Sequence, residues 1–223
     1  VREKMGAAIP SAGVGTTLSR GLITSALRSL GHVYHESSLT EDYELGIMAH
    51  RLGFRSTVAC HHYEKDNGEK EFIATREYFP KKFSRSVRQK TRWTTGIALQ
   101  GWRNLRWGGS LGNRYFLYRD RKAILTNAAT FVGYPTAIFT SLYAWGINPE
   151  PLQQAFHSEW LILLLANLCL MGLRLVQRFR CVANVYGIRA ALPIPIRWPV
   201  GITVNALAGM NAINNDVKAR RGK

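Results

Sequence analysis

From Ala123 to Ile147 the chain carries no charged residue, and a helix needs roughly 20 predominantly apolar residues to cross a bilayer. This stretch predicts a membrane-spanning helix, with Tyr143 and Trp145 near its far end, at the depth amphipathic rings prefer. Trp160–Val176 is a second and shorter candidate, bordered by Trp160 and by Arg174, whose long side chain can snorkel toward headgroups. Both runs also suit buried core helices, the second more readily because Glu159 abuts it. The connection Asn148–Glu159 holds Glu150 and Glu159 but no Lys or Arg, whereas Arg119, Arg121 and Lys122 precede the pair and Arg174, Arg178 and Arg180 close it. The positive-inside bias then puts both flanks in the cytoplasm. Ala191–Ile213 is harder to assign: Pro193, Pro195 and Pro199 argue against a regular helix at its start, and Trp198 suggests lodging at an interface.

Ahead of the apolar runs, residues 1–107 read as α/β material. Ala7 to Leu18 is a glycine-punctuated turn leaving a strand, and a helix follows over Arg20–Leu30. A second helix is expected over Glu41–Leu52, where Leu45, Met48, Ala49 and Leu52 repeat at helical spacing and Gly53 caps the end. Phe54–Cys60 alternates as a strand would, Glu64–Glu71 is a polar flexible loop, and a long helix runs over Lys81–Leu105. The expected organisation is therefore 1–107 as an α/β piece, 108–122 as a basic juxtamembrane linker, 123–176 as a transmembrane hairpin and 177–223 as a basic cytoplasmic or interfacial tail.

The net charge of +16 raises nucleic acid as a partner. The bases are spread along the chain, with short runs at Lys81–Lys82, Arg119–Lys122 and Lys218–Arg221, and no helix-turn-helix, zinc-finger or single-strand-binding signature accompanies them. Basic residues beside long apolar runs point instead to anionic membrane lipids, and no nucleic-acid partner is expected. Cys60, Cys169 and Cys181 lack paired spacing, which suits free thiols in a reducing compartment. His50, Cys60, His61 and His62 do not make a zinc site, since adjacent residues on a strand point to opposite faces. The charged opening at Val1 has no apolar signal region after it, and the chain is expected to be an internal fragment.

Two short patterns carry the chemistry. Gln89, Arg92 and Trp93 stand at i, i+3 and i+4, so a helix projects them from one face. That face offers an amide, a guanidinium fork that contacts phosphate oxygens bidentately, and an indole plane on which a sugar stacks. Upstream, Thr40, Glu41 and Asp42 supply carboxylates. Transfer of a sugar from a nucleotide diphosphate needs a base for the acceptor hydroxyl, positive charge for the leaving diphosphate, and a surface that aligns the acceptor. Asp42 is the candidate base, Arg92 faces the diphosphate, Trp93 and Gln89 hold the acceptor, and Glu41 supports the helix start or the charge balance. The same Thr40, Glu41 and Asp42 also suit an ordinary helix start, with a threonine cap and acids at the positive end of the macrodipole.

The Thr40-Glu41-Asp42 and Gln89-x-x-Arg92-Trp93 pair, in this order and about fifty residues apart, resembles the signatures of membrane-embedded family 2 glycosyltransferases. Ser38–Gly46, Ala74–Pro80, Arg88–Trp102 and the tail around Pro195–Gly201 and Val204-Asn205 are similar to the phage-adsorption branch of that family, over most of the chain. The resemblance implies the C-terminal half of a GT-A domain followed by transmembrane and interfacial helices, on the cytoplasmic face of a bacterial inner membrane. It implies an inverting transferase that moves a sugar from a nucleotide-sugar donor to a cell-envelope glycan acceptor. Gly15 and Thr16 resemble the segment bordering the acceptor pocket, and they suit simple turn formation equally. The family holds a divalent metal, Mg or Mn, through a D-x-D motif that this sequence lacks, Asp66, Asp120 and Asp216 being isolated. The fragment alone is accordingly expected to bind no metal and to be inactive. A non-catalytic reading also stands: a membrane interaction protein serving phage adsorption or glycan export, with an export or outer-membrane partner.

Overall fold

The computed structural model describes residues 1–59, 61–68, 70–73, 79–146 and 158–221. They fall into two compact units, one of Val1–Thr126 with Leu207–Lys223 and one of Asn127–Ala206.

In the first unit a single 3-10 turn at Glu3–Met5 precedes helix α1 (Arg20–Leu30), which lies where the sequence puts it. Ser19 accepts from the Leu22 amide at 3.2 Å and caps the start, while Gly31, at φ 75°, closes the end through a bond from its N–H to Leu27 O. Helix α2 (Glu41–Arg51) begins with Glu41, Asp42 and Glu44 in its first turn and ends on His50 and Arg51, both matched to the macrodipole. Gly53 follows at φ 87°, its N–H bonded to His50 O. The motif helix is interrupted: α3 (Phe83–Thr94) passes into a π turn at Thr95–Gln100 and then into α4 (Gly101–Leu105). Helix α5 (Leu111–Arg121) is capped by Ser110.

The α/β expectation is met only thinly. The strand expected over Phe54–Cys60 does not form: Phe54–Ala59 joins no sheet, and Cys60 lies outside the described residues. The Phe54 amide is used by Ala49 O, finishing α2, and its ring packs beside Gly21 of α1. The strand expected before the glycine turn is likewise absent. The polar stretch read as a loop is instead a hairpin, β1 (His62–Glu64) pairing antiparallel with β2 (Lys70–Phe72), His62 opposite Phe72. Gly68, at φ 79°, makes its turn. Among the described residues this two-stranded sheet stands alone.

Helix α2 is the centre of the unit. Tyr43 and Ile47 bury against Ala8 and Leu105, with Met48 and Ile97 packed on them. Burying one such side chain is worth about 1.5–3 kcal/mol. Segment Ile9–Ser11 lies directly on α2 at Gly46, where a β-carbon would come within 2.5 Å of Ser11 N and 2.7 Å of Pro10 Cα. Asp120 on α5 collects three elements: Arg2 reaches both its oxygens at 2.7 Å, and Tyr43 Oη donates to Oδ2 at 2.7 Å. Burial, then the charge and hydrogen bond of Asp120, push the Tyr43 hydroxyl far above the usual phenol range. Buried Arg121 donates to Arg106 O and stacks on Trp107 with its guanidinium carbon 4.3 Å from the ring centre. Burial lowers its pKa, opposed by Tyr43 and Asp120. Arg51 donates to Leu105 O beside it, so two guanidinium groups hold a turn in which Arg106 adopts φ 47°.

Asn127–Ala206 contains most of α6 (Ala123–Gly146), α7 (Ser158–Tyr186), α8 (Ile188–Ala191) and the first part of α9 (Ile194–Arg221). The membrane-spanning hairpin must be corrected: among the described residues no helix is long and apolar enough to cross a membrane. Thr126, Asn127, Thr130, Tyr134, Pro135, Thr136 and Thr140 dilute α6 along its length. The second candidate is the front of a longer helix whose later turns carry Arg174, Arg178 and Arg180; the side chains of Trp160, Leu161 and Leu164 lie outside the described residues, as do Ile147 and connection 148–157. Large apolar side chains nonetheless face outward here, among them Val132, Ile138, Phe139 and Leu142 on α6 and Leu163, Leu170 and Leu173 on α7. The prolines do not prevent a helix at Ala191–Ile213. Pro195 falls in the first turn of α9, where amides have no helical acceptor, and the helix continues through Pro199 at the loss of one bond. Trp198 packs edge-on against Tyr134, ring centres 5.4 Å apart.

Candidate active site

Thr40 precedes the first turn of α2, and its side chain does not cap the helix. It is 5% exposed, and its Oγ1 has no hydrogen-bond partner. Capping is displaced by a neighbouring network: Ser38 Oγ accepts from the Thr40 amide at 3.3 Å and donates to Glu44 Oε1 at 2.9 Å. Buried Glu44 accepts also from Asn104 Nδ2 at 2.9 Å. Glu44 thus braces the helix start through its hydrogen bonds, while Glu41, also in the first turn, is exposed and makes no ion pair or hydrogen bond among the described residues.

Asp42 is half-buried, with Oδ1 accepting from the Tyr43 amide at 2.8 Å. Its other oxygen faces the glycine turn, where a β-carbon built on Gly13 would lie 3.1 Å from Oδ2. Gly13 and Gly15 take φ 80° and 73°, in the left-handed region that glycine enters freely. The turn is tied by Ser11 Oγ to Thr16 Oγ1 at 2.9 Å and by the Gly13 amide to Ser11 Oγ at 3.0 Å. The structure therefore brings the turn holding Gly15 and Thr16 onto the Asp42 carboxylate, with Gly13 as the point of contact.

Gln89, Arg92 and Trp93 share the face of α3 that the spacing predicts, and that stripe continues to Gly96. Gly96 meets Thr40 directly: a β-carbon there would lie 2.6 Å from Thr40 Cγ2 and nearer still to Oγ1. Leu39 N donates to Gln100 Oε1 at 2.9 Å one turn further on. The two motifs thus touch through Thr40 and Gly96, although Asp42 makes no hydrogen bond to Gln89, Arg92 or Trp93 among the described residues. Arg92 is exposed and unpaired among the described residues, free to meet an anion. The indole of Trp93 is not bare. Phe79 lies 6.0 Å from it, centre to centre, and Lys90 Nζ sits 5.1 Å over its ring. Gly13, Gly96 and Glu44 were not foreseen as site residues. The signal for Gly96 was its place four residues after Arg92, on the same stripe.

A cavity of about 560 Å³ is lined by Arg2, Ile9, Val58, Phe116 and Asp120 among others, and by none of these motif residues. Among the described residues no group of three or more His, Cys, Asp or Glu can hold a metal ion. Among the described residues the side chains thus offer no fit to the divalent metal that the family resemblance implies.

Residues 1–148 match the family described as Glycosyl transferase family group 2, and the chain belongs to that family, whose members imply a GT-A fold. The chain is 35% identical over 236 aligned positions to the "Bacteriophage adsorption protein B" of Escherichia coli K12, covering 96% of this chain and 31% of that protein. The "Bacteriophage N4 adsorption protein B" of Escherichia coli O157:H7 matches with the same identity and coverage. The chain thus spans about a third of the length of the curated relatives it matches. No solved structure matches it.

Proposed function

We propose that these residues form the acceptor and leaving-group side of an inverting glycosyltransferase of the hexosyltransferase type, which moves a sugar from a nucleotide-diphosphate donor to a cell-envelope glycan. The observation that carries this reading is the contact of Thr40 with Gly96, which joins the carboxylate motif to the helix face bearing Gln89, Arg92 and Trp93. Asp42 takes the proton of the acceptor hydroxyl as that oxygen attacks the anomeric carbon from the side opposite the diphosphate. The bond from the anomeric carbon to the diphosphate oxygen breaks, the configuration inverts, and the electron pair leaves with the diphosphate, whose charge Arg92 meets with its fork. Trp93 and Gln89 align the acceptor, and Thr16 and Gly15 border it. A divalent cation, Mg or Mn, is proposed to be held by carboxylates outside these 223 residues, and no step here is routed through it. The test is Asp42→Asn in the full-length protein. It keeps the shape and removes the base, so radiolabelled sugar transfer should fall about a hundredfold or more while donor binding persists. Turnover near that of the unsubstituted protein would eliminate the assigned role.

We also propose that the protein works at the bacterial inner membrane with Asp42 on the cytoplasmic side. Support comes from the outward-facing apolar side chains of α6 and α7 beside the arginines of α7, a combination that suits a lipid surface. Recovery of the full-length protein in the soluble fraction after mild lysis would overturn this placement. The same outward-facing residues favour a second reading, a membrane interaction protein for phage adsorption or glycan export, in line with the relatives' name. Phage adsorption that persists in cells carrying Asp42→Asn, with no sugar transfer by the unsubstituted full-length protein, would select it.

A further inference from the structure

We propose that Gly96 is a positioning residue for the transfer: its missing side chain lets Thr40, and with it the carboxylate of Asp42, seat against the helix face that carries Gln89, Arg92 and Trp93. The inference rests on the reading of Asp42 as the base. A β-carbon at Gly96 would stand 2.6 Å from Thr40 Cγ2 and 3.0 Å from Thr40 Cβ, distances that packed carbons do not adopt. The threonine cannot swing aside. It is buried and β-branched, so its side chain is stiff. The backbone on either side is tied as well: the Thr40 amide to Ser38 Oγ at 3.3 Å and the Leu39 amide to Gln100 Oε1 at 2.9 Å. Further along α2, Tyr43 is fixed to Asp120 and Glu44 to Asn104. A β-carbon at Gly96 would therefore push the first turn of α2 off α3 by on the order of an ångström, and such a misplacement costs about a hundredfold in rate when it falls between reacting groups.

The requirement is not shared by every helical glycine. Gly133 and Gly172, also inside helices, would place a β-carbon with nothing within 4 Å. At Gly101, the next glycine along the motif helix, a β-carbon would lie 3.2 Å from Gly96 O and 3.4 Å from the Tyr43 ring, tight but without the overlap found at Gly96. At Gly96 the motif helix meets the side chain that opens the carboxylate motif.

The experiment is a cycle in the full-length protein, with sugar transfer and thermal unfolding measured on each variant. Gly96→Ala should lower kcat about a hundredfold and leave the donor KM within about threefold, because the donor's own contacts are retained. Thr40→Ser combined with Gly96→Ala removes Cγ2 and frees the hydroxyl to rotate, and should recover about tenfold or more of the lost kcat. Gly133→Ala should leave kcat unchanged. If Gly96→Ala fails to fold, the double variant decides, and it must regain both fold and turnover. A normal kcat in Gly96→Ala, or a double variant no better than the single, overturns the proposal. Asp42→Asn is run beside them. If it keeps turnover, the reading of the base falls; if it is inactive while Gly96→Ala is normal, only the positioning role falls.

Discussion

Gly46→Ala sets two forces of opposite sign against each other. Alanine is the better helix former by about 1 kcal/mol, and propensity alone says that α2 should gain. The packing says otherwise. The new β-carbon would stand 2.5 Å from Ser11 N and 2.7 Å from Pro10 Cα, with Ile9 O closer still. All three obstacles are backbone atoms, so no rotamer change relieves them. The crossing segment is also anchored just upstream, where the Ala8 amide donates to Asn113 Oδ1 at 2.7 Å. Overpacking of this kind costs about 1–3 kcal/mol, and more where the obstacle is rigid. We expect the steric term to win by about 1–2 kcal/mol, a fall in Tm of about 2–8 °C for a protein of this size. The readout is thermal unfolding by far-ultraviolet circular dichroism, with Gly172→Ala as the open-space comparison that should hold or raise Tm. Sugar transfer should fall as well, because the displaced segment leads into the turn covering Asp42. A Gly46→Ala protein more stable than the parent would refute the close crossing.

Tyr43→Phe keeps the buried ring but removes the bond to Asp120, and should cost about 1 kcal/mol in denaturant unfolding. Since folding raises the Tyr43 pKa, its contribution is complete below the ordinary phenol value of about 10 and lost as pH rises beyond it; the phenylalanine variant should show a shallower alkaline loss of stability. Burial raises the Asp216 carboxyl, but the hydrogen bonds and charges of Arg103 and Arg220 outweigh it and leave the pKa lowered. That contribution is present above the ordinary value of about 4 and lost as pH falls through and below it, so Asp216→Asn should flatten the acid limb of a stability profile and cost no more than about 1 kcal/mol at neutral pH. Arg92→Lys keeps the charge and loses the fork, and should weaken nucleoside diphosphate inhibition as well as kcat, whereas Trp93→Ala should raise the acceptor KM most; equal damage from Thr91→Ala, off that face, would count against it. The 223-residue chain alone should show no manganese-stimulated transfer, and robust stimulation would place the metal carboxylates within it.

Local rules carried the reading of this chain as far as local causes reach. Helix α1 runs from the residue after Ser19 to the residue before Gly31, and the acids after Thr40 mark the start of α2. Strands were the weak point because pairing partners are not local. Phe54–Ala59 alternates without finding a neighbour, whereas Glu64–Glu71 is polar throughout and so concealed a hairpin, although Asp66, Asn67 and Gly68 are turn formers. Pro195 and Pro199 were weighed as helix breakers without regard to where in the helix they fall. At the site, Gln89, Arg92 and Trp93 were legible from spacing. The contacts of Gly13 with Asp42, Gly46 with Ile9–Ser11 and Gly96 with Thr40 were not, since each glycine is needed by a segment far away in the chain.

The π turn explains how one helix can serve both the chemistry and the core. In an α-helix each residue turns about 100°, so Leu105, nine positions beyond Gly96, would point roughly opposite to it. Yet both meet α2, Gly96 at Thr40 and Leu105 at the cluster of Ala8, Tyr43 and Ile47. Between them the Gly101 amide bonds Gly96 O, five residues back, and a π turn of this kind absorbs one residue. Subtracting it leaves about 80° between the two side chains, which puts both on the α2 side. Tyr43 against Gly101 and Glu44 to Asn104 fill the seam between those ends. With the Q-x-x-R-W stripe leading into one end and the apolar core holding the other, the helix face proposed to meet the diphosphate is fixed by the same packing that positions the proposed base.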